Sequence, residues 1–148
     1  MKRLLRSFLL LLLAVGLLAC GPPKKSVFPP TVSIQQLQVL PNGRWQLTVR
    51  IQNNSYGEMD FNSLEGQLQI AALIPIRLHG TFVLDVLPTP AMTQALQAIA
   101  SKGSAGSLAY RVSGSTNAKP EQEKQTRDFN FSGNDWLSPV PGIANTYR

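Results

Sequence analysis

From residue 31 onward this chain alternates apolar and polar residues with a period of two. In residues 44–53, Trp45, Leu47, Val49 and Ile51 alternate with Arg44, Gln46, Thr48, Arg50 and Gln52, as a strand with one face in a core and one in water requires. Leu64, Gly66, Leu68 and Ile70 repeat the pattern against Glu65, Gln67 and Gln69. Phe82, Leu84 and Val86 repeat it again, with Thr81 and Asp85 expected outward, and Leu108, Tyr110 and Val112 alternate with Ala109, Arg111 and Ser113. Phe129 and Phe131 mark a last clear strand. Near the start the phase changes: Val32 and Ile34 share one register, Leu37 and Val39 the other, which predicts a bulge near Gln35 and Gln36.

The connections agree with strands. Pro41-Asn42-Gly43 reads as a hairpin turn, with proline fixing the entry and Gly43 free to take positive φ. One helix is marked by Thr89 as N-cap, Pro90 at its first position, and Gly103 past its end. Its apolar stripe of Met92, Ala95, Leu96 and Ile99 fits a helix packed on a sheet. The expected fold is all-β: an antiparallel two-sheet β-sandwich of the fibronectin or immunoglobulin type with one short helix. Residues 31–148 suffice for one such domain and its core.

Cys20 is the only cysteine, so no intrachain disulfide holds this fold together. It follows a basic stretch (Lys2, Arg3, Arg6) and an apolar run from Phe8 to Leu18. At about 1.5 Å per residue, roughly twelve apolar positions span about 18 Å, well short of a hydrocarbon core of about 30 Å. Leu17-Leu18-Ala19-Cys20 resembles the lipobox of bacterial lipoproteins, in which the chain is cut before the cysteine and the thiol is acylated. That resemblance implies a signal peptide over residues 1–19, lipidation of Cys20, and a membrane partner reached through the acyl chains. Gly21 in place of Asp implies an outer-membrane destination facing the periplasm. Residues 20–30 then form a lipidated, Pro-rich linker, and at about 3.1 Å per residue an extended spacer would hold the domain roughly 30 Å from the anchor.

The net charge of +6 belongs mostly to these leading segments. Without Lys2, Arg3, Arg6, Lys24 and Lys25, residues 31–148 carry nine basic against eight acidic side chains. A nearly neutral domain has no electrostatic footprint for a phosphate backbone, and nucleic acid is not expected as a partner.

Residues 45–73 resemble the late embryogenesis abundant type 2 family, also called the water stress and hypersensitive response domain. That family's pattern is an alternating strand, an Asn-Pro-Asn turn, a short apolar pair, and a strand opening Leu-x-Gly-x-Leu-x-Ile. Here the strand is Leu47 to Gln52, the turn Asn53-Asn54-Ser55, the pair Met59 and Phe61, and the second strand Leu64 to Ile70. The turn departs from the pattern, with Asn54 in place of proline and Ser55 in place of the second asparagine. The resemblance implies a seven-stranded sandwich with one helix and a link to stress protection, and it brings no catalytic residues. The ending Leu137-Ser138-Pro139-Val140-Pro141-Gly142 resembles bacterial members of that family. Trp136 is expected to cover one edge of the sandwich.

Chemistry-bearing residues are sparse. His79 is the only histidine, expected outward on one strand with Thr81 and Asp85; six residues of strand at about 3.3 Å each keep His79 and Asp85 about 20 Å apart. That spacing excludes a direct His–Asp bond of the kind a triad needs. With no other histidine or cysteine in the domain, a transition-metal site lacks soft ligands. The expectation is a protein without catalytic, cofactor or metal sites. It is read as an envelope lipoprotein presenting a β-sandwich for stress protection or for interaction with an envelope protein. The alternative is a binder of lipid or another small apolar ligand, with the helix as a lid.

Overall fold

The alternating segments form eight strands, described here from a computed structural model that covers Gly21 and residues 23–148. In order these are β1 (Thr31–Val39), β2 (Trp45–Gln52), β3 (Met59–Ile70), β4 (Ile76–Gly80), β5 (Val83–Val86), helix α1 (Pro90–Ala100), a 3-10 turn (Gly103–Ala105), β6 (Leu108–Pro120), β7 (Arg127–Leu137) and β8 (Thr146–Tyr147). They build two antiparallel four-stranded sheets, β5-β2-β1-β8 and β4-β3-β6-β7. The expected β-sandwich with one short helix is what the chain adopts. Met59 and Phe61, expected as a separate short element, instead begin the long strand β3, with a register shift between Phe61 and Ser63.

The inward residues of both sheets meet in one core. Leu37, Trp45 and Leu47 come from the first sheet and Leu64, Leu68 and Ile70 from the second, all fully buried. Helix α1 adds Met92, Leu96 and Ile99 to the same cluster, with Ala95 half-buried beside them. The Thr89 hydroxyl accepts the Met92 N–H at 3.2 Å, closing the expected N-cap. In the first hairpin, Gly43 takes φ 81° and the Gly43 N–H donates to the Leu40 carbonyl at 2.9 Å.

The bulge in β1 lies where the change of phase placed it, between Ile34 and Gln36. Opposite it, the Val49 N–H donates to the Phe82 carbonyl rather than to β1. In an antiparallel ladder, facing residues turn their backbone groups either toward each other or away together, so the Ile34 N–H also points away from β2. On that side β8 reaches only Leu37 and Gln38. The hydroxyl of Tyr110, from the opposite sheet, accepts the Ile34 N–H at 2.9 Å. Burial pushes the Tyr110 phenol above its ordinary pKa, with the Ile34 bond opposing that shift.

Alternation fails at the corner between β4 and β5, where the chain crosses from one sheet to the other. Gly80 sits at φ 152°, and a Cβ there would lie 2.6 Å from a Leu84 methyl. Leu84 and Val86 are buried as expected, but Phe82 is 48% exposed. His79 and Asp85 therefore do not share one continuous strand: His79 is on β4 and Asp85 on β5, in different sheets. The other seam of the sandwich is closed where Gly133 of β7 meets the Val32 carbonyl of β1, too closely for any Cβ. Of the four outermost strands, β4, β5 and β8 have five, four and two residues and β7 has eleven.

Ahead of the sandwich, the chain is not a free spacer. From Lys25 it lies as a strap across the end formed by residues 53–57 and 120–122. The Lys25 N–H donates to Gln122 Oε1 at 2.9 Å, and Lys25 Nζ pairs with Glu121 Oε2 at 2.7 Å. The Ser55 hydroxyl accepts the Phe28 N–H at 2.8 Å and donates to the Phe28 carbonyl at 3.2 Å. The Asn54 amide donates to the Pro29 carbonyl and to the Thr31 hydroxyl, both at 2.9 Å. The Tyr56 N–H donates to the Ser26 carbonyl at 3.2 Å. Prolines exclude helix and central strand, but their carbonyls remain acceptors, and the turn supplies the donors.

The tail folds back on the sandwich. Ser138 and Arg148 exchange two backbone bonds, of 2.6 and 2.9 Å, and β8 adds to the edge of β1. Leu137 takes the inward position, so its neighbour Trp136 turns outward beside Ala109 and is 62% exposed. It does not cover an edge as expected.

Two outcomes follow. Tyr110→Phe strands the buried Ile34 N–H and is expected to cost about 1 to 2 kcal/mol, read from urea unfolding with an unchanged slope. Lys25, with the Glu58 N–H, holds the Glu121 carboxyl below its ordinary pKa. A lowered pKa in the folded chain contributes stability that is complete above the free-chain value and fades as pH falls through the docked one. Below about pH 4 the strap is expected to loosen, seen by NMR as lost exchange protection of the Tyr56 amide relative to the β6 amides.

Candidate functional site

Two glycines face each other at the centre of the β4-β3-β6-β7 sheet, Gly66 on β3 and Gly114 on β6. Their backbones approach more closely than side chains allow: a Cβ on Gly114 would meet the Glu65 carbonyl at 2.1 Å, and one on Gly66 the Ser113 carbonyl at 2.4 Å. On the inner side the buried Phe131 ring fills the vacated space, its Cζ 3.2 Å from where a Gly66 Cβ would be. On the outer side the sheet is hollowed into an open groove of about 830 Å³, lined by Glu65, Gln67, Arg77, His79, Ser113 and Ser115 with Asn130 at its rim.

Strand register sets the order of these side chains. His79, Glu65 and Ser115 form one row across β4, β3 and β6, and Arg77, Gln67 and Ser113 form the next. His79 Nδ1 lies 3.3 Å from Glu65 Oε1, with both side chains mostly in water, and such exposed pairs contribute about 0 to 1 kcal/mol. A serine, a histidine and a carboxylate thus share a row, in the wrong order. A triad needs histidine between nucleophile and acid, whereas here the acid is central. His79 and Ser115 stand two strand spacings apart, about 9.6 Å. What the row can do is donate and accept hydrogen bonds along a polar partner.

A second hollow of about 370 Å³ continues along the same face, lined by Gln69, Ala71, Ala72, Ala109, Arg111 and Asn134. Among the described residues, Arg77 and Arg111 enter no ion pair. Asp85 is paired with Arg44 at 2.9 Å, away from His79. The Glu65–His79 pair was missed in the sequence because only the β3–β4 register brings it together; alternation alone places both outward without making them neighbours.

Cys20, the expected lipidation site, lies outside the described residues, as do residues 1–19. Among the described residues, no three of His, Cys, Asp and Glu gather closely enough to hold a metal ion, and no helix is long and apolar enough to cross a membrane. No family model, curated protein or solved structure matches the chain.

The close approach of β3 and β6 depends on the glycine pair. Gly114→Ala drives a methyl into the Glu65 backbone, which a side-chain rotation cannot relieve, and is expected to cost about 2 to 3 kcal/mol. Thermal unfolding measures this; Gly43→Ala, at an open turn where only the positive φ opposes the substitution at a cost of about 1 kcal/mol, is the comparison.

Proposed function

We propose that the protein is an envelope lipoprotein, anchored through acylated Cys20 to the outer membrane and facing the periplasm, whose β-sandwich acts without catalysis as an interaction or protective module. The observation that carries this reading is the division of labour between faces. The apolar residues of both sheets and of α1 fill one core, while the outer face of the β4-β3-β6-β7 sheet offers a groove of amide, hydroxyl and charged groups to solvent. Polar partners suit that groove. A stress-protective role adds the likeness to the late embryogenesis abundant type 2 pattern in residues 45–73, and rests on it.

Binding of a small apolar ligand under the helix is disfavoured. Met92, Leu96 and Ile99, the residues that would line such a site, are already buried against the core, and opening them costs about 2 kcal/mol per large side chain.

Mass spectrometry of the protein purified from its envelope tests the reading. The mature chain is expected to begin at Cys20 with acyl mass on that residue, and under native conditions to retain no further lipid. A free Cys20 thiol would remove the anchor. A lipid held noncovalently would transfer the assignment to lipid carriage.

A further inference from the structure

The strap brings a distinctive surface to the end of the sandwich where the anchor enters. Phe28 and Tyr56 pack edge to face there, ring centroids 6.3 Å apart, yet Phe28 is 46% and Tyr56 80% exposed. Neither ring contributes to the core. An aromatic pair held this firmly by hydrogen bonds at Ser26, Phe28 and Pro29, and left in water, has apolar area available to a partner.

Chain length identifies that partner. Lys25 is already bound to Gln122 and Glu121, so only residues 21–24 can span the gap between Cys20 and the docked chain. Five steps at no more than about 3.5 Å keep Lys25 within about 17 Å of Cys20, about half the separation that a free linker would permit. The headgroup layer itself is about 5 to 8 Å deep on each side. A domain tethered this closely rests its strap end on the bilayer surface. The charges there do not oppose contact: Lys25 pairs with Glu121 and Arg127 with Glu123, while Lys24, Lys119 and Lys124 balance Glu58, Asp60 and Asp128. Tyr56, with an apolar body and a polar edge, suits the membrane–water interface, and the Phe28 ring against it adds apolar area.

We infer that the strap end of the sandwich is a bilayer-contact surface, with Phe28 and Tyr56 at headgroup level and the domain standing upright on it. Strand register then places α1, the β3–β4 turn and the tail at the opposite end, about 40 Å away along β6. The polar groove faces sideways, parallel to the membrane, where it is open to partners in the periplasmic space. This inference rests on the anchor proposed above.

Hydroxyl-radical footprinting of the full-length gene product in its own membrane vesicles tests it, with the detergent-extracted protein as reference. Phe28 and Tyr56 are expected to oxidise several-fold less on the vesicles, while Trp136, exposed at the opposite end, oxidises equally in both. The variant combining Asn54→Ala, Ser55→Ala, Glu121→Ala and Gln122→Ala removes the side-chain holds on the strap, those on Lys25 included, and is expected to return Tyr56 oxidation to the extracted level, with an unchanged β-sheet circular dichroism spectrum. Equal Tyr56 oxidation on vesicles and after extraction, with acyl mass present on the Cys20 peptide of the same digest, overturns the contact surface and leaves the anchor standing. A Cys20 peptide without acyl mass overturns both. Protection of Trp136 together with Tyr56 means general coverage by a partner protein and also overturns it.

Discussion

Much of this structure depends on a place where two backbones come closer than side chains permit. Gly66 and Gly114 face each other at the middle of the two longest strands. Without Cβ atoms, which parity with Leu64 and Val112 would place on the inner face, the core accepts the Phe131 ring, and the open groove lies on the opposite face among the outward side chains. Neither glycine sits at a turn, and both interrupt alternating strands in which glycine is otherwise unfavourable. The cost in local stability is offset by aromatic packing on the inner side, while a concave polar surface lies on the other. Core and groove thus lie back to back across the same pair of glycines.

The parts legible in the sequence were those set by local rules. Period two placed β2, β6 and β7, the phase change at Gln35 and Gln36 placed the β1 bulge, and Thr89 with Pro90 placed the helix start. The parts that were not legible depend on which segments become neighbours. In the sequence Leu78, Phe82, Leu84 and Val86 keep one parity across Gly80, although Phe82 is exposed in the fold, so alternation cannot show that His79 and Asp85 belong to different sheets. Trp136 is large and apolar, yet parity with the buried Leu137 turns it outward. The groove needs the pairing of β4 with β3 and of β3 with β6, information that no single strand contains.

The strap shows the same limit in another form. Its composition correctly excludes helix and central strand, but says nothing about the hydrogen-bond donors waiting at the end of the sandwich. Those donors sit at the two positions where the turn departs from an Asn-Pro-Asn pattern. The Asn54 amide reaches Pro29 and Thr31, and the Ser55 hydroxyl holds both backbone groups of Phe28. A proline at 54 has no side-chain donor for this purpose. The departure thus has a structural account: it turns a bend into a clamp on the preceding chain.

The lengths of the outermost strands have a consequence for crowding. Molecules confined to a surface meet far more often than the same number in solution, and they meet side by side. A long, unpaired strand edge under those conditions would recruit its neighbours into a continuous sheet. Here β4, β5 and β8 offer five, four and two residues at the edges, and the longer β7 is pressed against β1 through Gly133. Under the anchoring proposed above, dense lateral packing would bring together three edges too short to template one another and a fourth, β7, held against β1, so that neighbouring molecules would stay separate.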